Sequence, residues 1–502
     1  MKRLIYSFAL LVLAILPASA QISEELRKEL DVKIESDDII TTDGEKVSPQ
    51  TYESRHRKSA SLVYATFDIL RQMTISYNSI DAKKKRVRLS AKIYLPWGSW
   101  DTSLGNGTGW IPIVTIRHIL LNCHPTVTSN FEAPTGAIPV DNDIKRMVTE
   151  NTYSWMVVCP DYCGYGQSTH LQHPYLIHDV TARNCIDAEL AAISLYESGE
   201  ISKVDPWWAV SYNWSAYGYT TDIVGYSQGG ATALACTKYL ESDTCPQDVK
   251  ETIKLRQTTC GDGPYSIIAT LDQYLAWGRD KKELEYPCVL PLIVAAAKEA
   301  HNDGCMRSVE VEKYFTEQFL KTKILDYLNS KTTSTVDLNT LIKKAMGTTP
   351  LLPVNVLSDR VIKADGTYNT TTNEYKCLMR AFEQADLTRG WTPTHPITFY
   401  HLECDGVVPY ANYNAVEDGI QKGNDLVKFV SAQDAHRTFL DFYSLENIEQ
   451  GTWSPSTFFE FDWVAGSLAS GILNPDYEHT NHADGGTLFY VDYMFGHKLR
   501  NE

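Results

Sequence analysis

Apolar residues run together without alternating in "IPIVTIRHI" (111–119), "WMVVCPDY" (155–162) and "DIVGYS" (222–227). Short β-branched runs of this kind suit central strands of a sheet covered on both faces. "MTISYNSID" and "VRLSAKIYLP" predict two more strands, joined by the basic turn "KKKR" at 83–86. Helical patterns lie between the apolar runs, at 181–198 and 228–242. Strand and helix therefore alternate, which predicts a mainly parallel sheet with right-handed crossovers. From about 264 to 390 the texture is helical, as in "VLPLIVAAAKEA" and "VEKYFTEQFLKTKILDYL". Strand texture returns at 396–405 and 426–432, and the final stretch ends in the helical pattern "GTLFYVDYMFGHKL". The expected division is 21–263 and 391–502 for an α/β core and its C-terminal extension, with 264–390 inserted as an all-helical cap.

The first twenty residues are set apart from this fold. Lys2 and Arg3 precede the apolar stretch "LIYSFALLVLAIL", and "ASA" at 18–20 is a small-residue cleavage site. That is the pattern of a signal peptide, cut after Ala20, so the mature chain is expected to be secreted or periplasmic. The formal net charge of −16 becomes about −18 without Lys2 and Arg3. An acidic surface argues against nucleic acid and anionic membranes as partners. The exception, "KKKR", reads as a solvated hairpin turn. Eleven cysteines permit disulfides and leave at least one unpaired within the chain. The absence of any C-x-x-C gives a structural zinc site little support.

Chemistry enters at "TDIVGYSQGGATALA" (221–235). Ser227 lies between Gly225 and Gly229, where an apolar strand gives way to a helix. Strand, G-x-S-x-G and helix in that order form a nucleophile elbow. Its serine sits in a strained turn, and crowding of strand against helix demands small neighbours. The helix start lies under the developing oxyanion, so the N–H of Gln228 is a candidate donor. A serine hydroxyl needs a base, and the base needs an acid to orient it. Asp405, at the end of the strand in "TFYHLECDGVVPY", is the candidate acid. Asp262 in "CGDGPY" is a weaker rival, and Asp222, inside the approaching strand, reads as structural. The candidate base is His436, a short loop beyond the last strand, with His482 in "EHTNHADGG" as the alternative.

With these residues in place, the chain resembles the secretory lipase family of the α/β-hydrolase fold. "VVCPDYCGYGQS", "HPY" at 173–175, "VGYSQGG", "CGDGPYSIIATL" and "DGVVPYANYNA" carry the resemblance in order along residues 75–445. It implies a Ser-Asp-His ester hydrolase with a helical lid, in which Ser227, Asp405 and His436 act together. It also places Asp161 beside the oxyanion hole with Gln228. The chain departs from the family where "RHILLN" has His118 without a following glycine, and in the tail beyond 450.

Other features read as structural. Trp207, Trp208 and Trp214 suit a packed loop better than a stacking surface. His170, His173 and His178 lack a completing carboxylate or cysteine, so neither metal nor cofactor is expected. Cys159 and Cys163 suit burial or a disulfide better than reactivity. Asn106, Asn213 and Asn369 begin N-x-S/T sequons, relevant only in a glycosylating host. The expected protein is an exported serine esterase or lipase acting on a small-molecule or lipid-like ester. An exported peptidase, a polysaccharide-deacylating esterase and a non-catalytic binding protein on the same fold are the alternatives.

Overall fold

The structure, a computed structural model, describes residues 22–40, 46–47, 70–96, 99–100, 110–111, 116, 118–123, 155–201, 219–300, 304–328, 335–431, 482 and 489. The expected signal peptide, Trp207, Trp208, Trp214, Asn106, Asn213 and His436 lie outside the described residues.

The strands are β1 (Lys33–Ile40), β2 (Lys46–Val47), β3 (Leu70–Ile80), β4 (Arg86–Pro96), β5 (Ser99–Trp100), β6 (Trp110–Ile111), β7 (His118–Cys123), β8 (Trp155–Pro160), β9 (Thr220–Tyr226), β10 (Leu255–Gly261), β11 (Ile397–His401) and β12 (Val427–Ser431). β5 and β6 form a small separate pair. The other strands form a ten-stranded sheet in the order β12-β11-β10-β9-β7-β8-β4-β3-β1-β2. From β8 to β12 all neighbours are parallel, while β4, β3, β1 and β2 add antiparallel strands at one edge.

The continuous apolar runs explain the centre. All six residues of β8 are buried, and so are the last five of β7 and the last six of β9. Alternate side chains serve opposite faces of these strands. Ile119, Leu121, Met156, Val158 and Ile223 face one core, against helices α2 (His178–Glu197) and α3 (Gln228–Glu241). Leu120, Val157, Val224, Tyr226 and Tyr400 face another, where Phe489 packs on them. Helix α1 (Glu24–Leu30) precedes β1, with Ser23 accepting the N–H of Leu26 as its cap.

The β3–β4 hairpin carries the basic turn as expected. Asp81 Oδ1 accepts the N–H groups of Lys83 and Lys85, both at 2.8 Å, and residues 83–86 are exposed. The expected strand at 111–119 requires correction, because β7 starts at His118 and ends at Cys123. His118 is therefore at the start of its strand, stacked on Trp155 with Nδ1 3.2 Å from Thr220 Oγ1.

Between β10 and β11 the described elements are helical. The longer ones are α4 (Ile267–Arg279), α5 (Val289–Ala300), α6 (Thr335–Met346) and α7 (Asn373–Gln384). They share a second hydrophobic core that includes Tyr274, Ile293, Phe319, Leu338 and Phe382. The pattern at 311–328 does not make one helix. Thr316 caps a new turn by accepting from Phe319 N, and Lys323 adopts φ 57°, so three short turns replace it. The disulfide Cys305–Cys377 ties this block across 72 residues of sequence, while the other nine cysteines are not disulfide-bonded.

Candidate active site

Ser227 stands at the sharp turn between β9 and α3, with φ 57° and ψ −126°. A side chain rarely tolerates that backbone, and it persists only where the surroundings impose it. Here they do. The Ser227 N–H donates to Gly261 O at 2.8 Å, and its carbonyl accepts from Ala231 N at 3.3 Å. A Cβ on Gly225 would lie 2.1 Å from Gly229 O and 2.6 Å from Cys123 O. The small neighbour expected from the motif is thus a steric requirement.

The acid loop follows β11. Asp405 is buried, and its Oδ1 accepts the N–H groups of Val407 at 2.7 Å and Val408 at 2.8 Å. Those two donors leave Oδ2 facing His482 Nδ1 at 2.5 Å. On the far side of the ring, His482 Nε2 is 2.8 Å from Ser227 Oγ. A carboxylate oxygen accepts, so Nδ1 carries the hydrogen and Nε2 presents its lone pair to the serine hydroxyl. The residues are far apart in sequence, and the sheet supplies the proximity: Ser227 ends β9, and Asp405 follows β11, two strands away.

Electrostatics suit proton transfer. Burial pushes His482 down, but Asp405 outweighs it, so the imidazole is held above its ordinary value. Glu285, in the segment between α4 and α5, is itself pushed up by burial and then by Asp405. A Cβ on Gly406 would stand 2.2 Å from Glu285 Oε2, so that glycine makes room for the carboxylate beside the acid loop. Tyr274 also reaches the loop from α4, its hydroxyl donating to Val407 O at 2.5 Å. Tyr274 and Thr270 line an apolar cavity with Leu271, Leu290, Ile293 and Phe382.

Of the expected residues, Ser227 and Asp405 come together, and the histidine between them is His482. Asp262 is not hydrogen-bonded to the imidazole; it meets Tyr226 behind the site. Asp222 pairs with Arg256 at 2.5 Å, away from the serine. Gln228 is the first residue of α3, where N–H groups lie ahead of any intrahelical acceptor. Its side-chain Nε2 is 2.7 Å from His173 Nε2, and His173 Nδ1 donates to Cys163 O at 2.8 Å. That bond fixes the His173 tautomer and ties the loop after β8 to the elbow. Asp161, expected beside the oxyanion hole, is held by Ser90. Its N–H donates to Ser90 O at 3.0 Å, and its carboxylate accepts from Ser90 Oγ at 2.5 Å. His170, His173 and His178 do not form a metal-ligating group among the described residues. Cys159 and Cys163 are buried and not in a disulfide. Glu285, Tyr226 and the His173–Gln228 contact carried no sequence signal beyond proximity to motifs.

No known family pattern matches the chain, and no curated protein matches it by sequence. Solved structures do match. The rice cell wall degrading esterase LipA from Xanthomonas oryzae aligns at 17% identity over 83% of this chain and 91% of its own, with TM-score 0.53. The fold is that of the α/β-hydrolases. A putative hydrolase from Legionella pneumophila (16% identity, 83% of this chain, 97% of its own, TM-score 0.49) and Candida antarctica lipase A (12%, 83%, 89%, 0.45) superpose less closely. Among the described residues no helix is long and apolar enough to cross a membrane.

Proposed function

We propose that the protein is an exported carboxylic ester hydrolase that works through Ser227, His482 and Asp405. The carrying observation is the unbroken chain of contacts, 2.8 Å from Ser227 Oγ to His482 Nε2 and 2.5 Å from His482 Nδ1 to Asp405 Oδ2.

In this reading Ser227 Oγ attacks the ester carbonyl as its proton passes to His482 Nε2. Asp405 holds the imidazole in the receptive tautomer and balances the imidazolium. The carbonyl oxygen becomes an oxyanion, met by the N–H of Gln228 at the start of α3. When the tetrahedral intermediate collapses, the C–O bond breaks and the leaving alkoxide takes the proton from Nε2. Water then repeats both steps on the acyl-enzyme, releasing the acid and restoring Ser227. No cofactor is needed for this sequence.

The substrate reading rests on the helical block, which would act as a cap. Its apolar cavity reaches the acid loop through Tyr274, which suits an acyl or aromatic group in a dry pocket. The LipA esterase is described as cell-wall degrading, so acylated polysaccharide belongs among the substrates to test. Glu285 adds a specific reason to include aminoacyl esters and amides, because a carboxylate beside the acid loop suits a substrate ammonium group.

The test is hydrolysis of a chromogenic ester series, from acetyl to long acyl, by wild type, Ser227→Ala, His482→Ala and His436→Ala. Loss of activity in the first two variants and its retention in His436→Ala is expected. Activity retained in His482→Ala would overturn the assignment of the base, and a wild type inert on every ester would overturn the esterase.

A further inference from the structure

Tyr226, the residue before the nucleophile, has one hydroxyl hydrogen and two short contacts. Its oxygen is 2.6 Å from Asp262 Oδ2 and 2.5 Å from the main-chain carbonyl oxygen of His482. A carbonyl oxygen only accepts, so the hydroxyl hydrogen belongs on the His482 side. The contact with Asp262 then needs a hydrogen of its own. An ionised Asp262 would leave two acceptors competing for one hydrogen, with one oxygen pair at close range and nothing between. We propose that Asp262 is a neutral carboxylic acid that donates from Oδ2–H to Tyr226, whose hydroxyl donates in turn to the His482 carbonyl, so that this proton chain positions the base. The role of positioning residue rests on the reading of His482 as the base.

The surroundings support a neutral acid. Asp262 is 2% exposed, and its Oδ1 accepts from Leu402 N at 2.8 Å. Six titratable groups face it from the packed elements: Tyr226 from β9, His401 from β11, Cys404 and Asp405 from the acid loop, Tyr265 after β10, and His482. His401 offers no hydrogen bond. Its Nε2 donates to Val408 O at 3.0 Å, and its Nδ1 lies 3.7 Å from Asp262 Oδ1 without a partner among the described residues. Burial pushes the Asp262 carboxyl up; His401 pulls it down and Asp405 pushes it up again.

The consequence is a division of labour between two carboxyl groups. Ligand atoms of Asp262, Asp405 and His482 all lie within 4.8 Å of one another. A second anion at that range would raise the proton affinity of the imidazole beyond what Asp405 alone sets, making it a poorer acceptor for the Ser227 proton at neutral pH. With Asp262 neutral, Asp405 alone balances the imidazolium that forms in the reaction. Asp262 contributes geometry, anchoring the backbone of a residue that comes from the far end of the chain.

Isotope-edited infrared spectra of protein labelled at aspartate carboxyls locate the proton directly. At pH 7 the wild type is expected to show a protonated-carboxyl C=O band that Asp262→Asn removes. Asp262→Ala should lower kcat about tenfold with KM little changed, the effect of a slightly misplaced base. Asp262→Asn keeps an N–H to donate and should recover kcat to within about threefold of wild type, with the acid limb of kcat/KM unmoved. Tyr226→Phe should lose as much as Asp262→Ala. Absence of the infrared band in wild type, or an acid limb shifted down by about half a pH unit or more in Asp262→Asn, overturns the proposal. If wild type cleaves no ester, the function reading falls while the infrared band still decides where the proton is.

Discussion

Glu189 offers a quantitative check on the interior beside β9. It lies on α2, one turn beyond Cys185, and is fully buried. Thr221 Oγ1 donates to its Oε1 at 2.5 Å, and its Oε2 has no hydrogen-bond partner among the described residues. Burial pushes this carboxyl from 4.5 up to about 8, with the Thr221 bond opposing and Cys123 reinforcing. The group is then neutral in the folded chain and ionised in the unfolded chain at neutral pH. Folding takes up a proton, so stability falls as pH rises from about 4.5 and levels off above about 8. At 1.36 kcal/mol per unit, this one group removes about 3 to 4 kcal/mol between pH 5 and pH 8. Glu189→Gln is neutral at every pH and can keep the Thr221 bond. Urea unfolding at pH 5, 6, 7 and 8 should show wild type losing that much more stability than the variant across the range. Parallel curves, with a constant difference at all four values, would refute the reasoning and place a charge in the core.

Four further outcomes follow from the site and the block beside it. Ser227→Ala and His482→Ala should each lower kcat by about 10⁴-fold or more in the ester assay without loss of the folded circular dichroism spectrum. Wild-type kcat/KM should fall as pH drops through a midpoint above 6.5, because the base must be neutral and Asp405 outweighs burial; Asp405→Asn should move that midpoint down in the pH profile. Gly225→Val should abolish activity and destabilise the fold by about 3 kcal/mol or more in chemical unfolding, since even its Cβ would lie 2.1 Å from Gly229 O. Replacing both Cys305 and Cys377 by alanine should destabilise the helical block by about 4 kcal/mol, the loop entropy of a 72-residue closure, read by proteolysis of that block.

The parts of this picture legible in the sequence share a physical cause. β8 and β9 were visible because strands covered on both faces are continuous apolar runs. The elbow was visible because its glycines answer a local steric demand, and Asp405 because a strand end followed by Gly406 leaves a distinct pattern. β7 was misplaced because "IPIVTIRHILLNC" is apolar across two strand lengths, and pattern alone does not set its register. The base was ambiguous for a different reason. Its place depends on how far the chain travels after β12, and no local residue pattern records that distance. His436 stands at the shorter distance, outside the described residues, whereas His482 meets Ser227 and Asp405. Tyr226 and Asp262 were missed in their linked role because a shared proton is a property of distances.

The position of His482 also bears on timing. A chain stopped after Ser431 would hold every described strand, the elbow, and Asp405 with its two backbone donors. It would have no imidazole at Ser227, because His482 joins 77 residues after Asp405, close to where Phe489 seals the second face of the sheet. Synthesis proceeds from the N-terminus, and such long-range contacts form late. On the proposed reading, the growing chain therefore lacks its proton acceptor until the segment that carries His482 has been made.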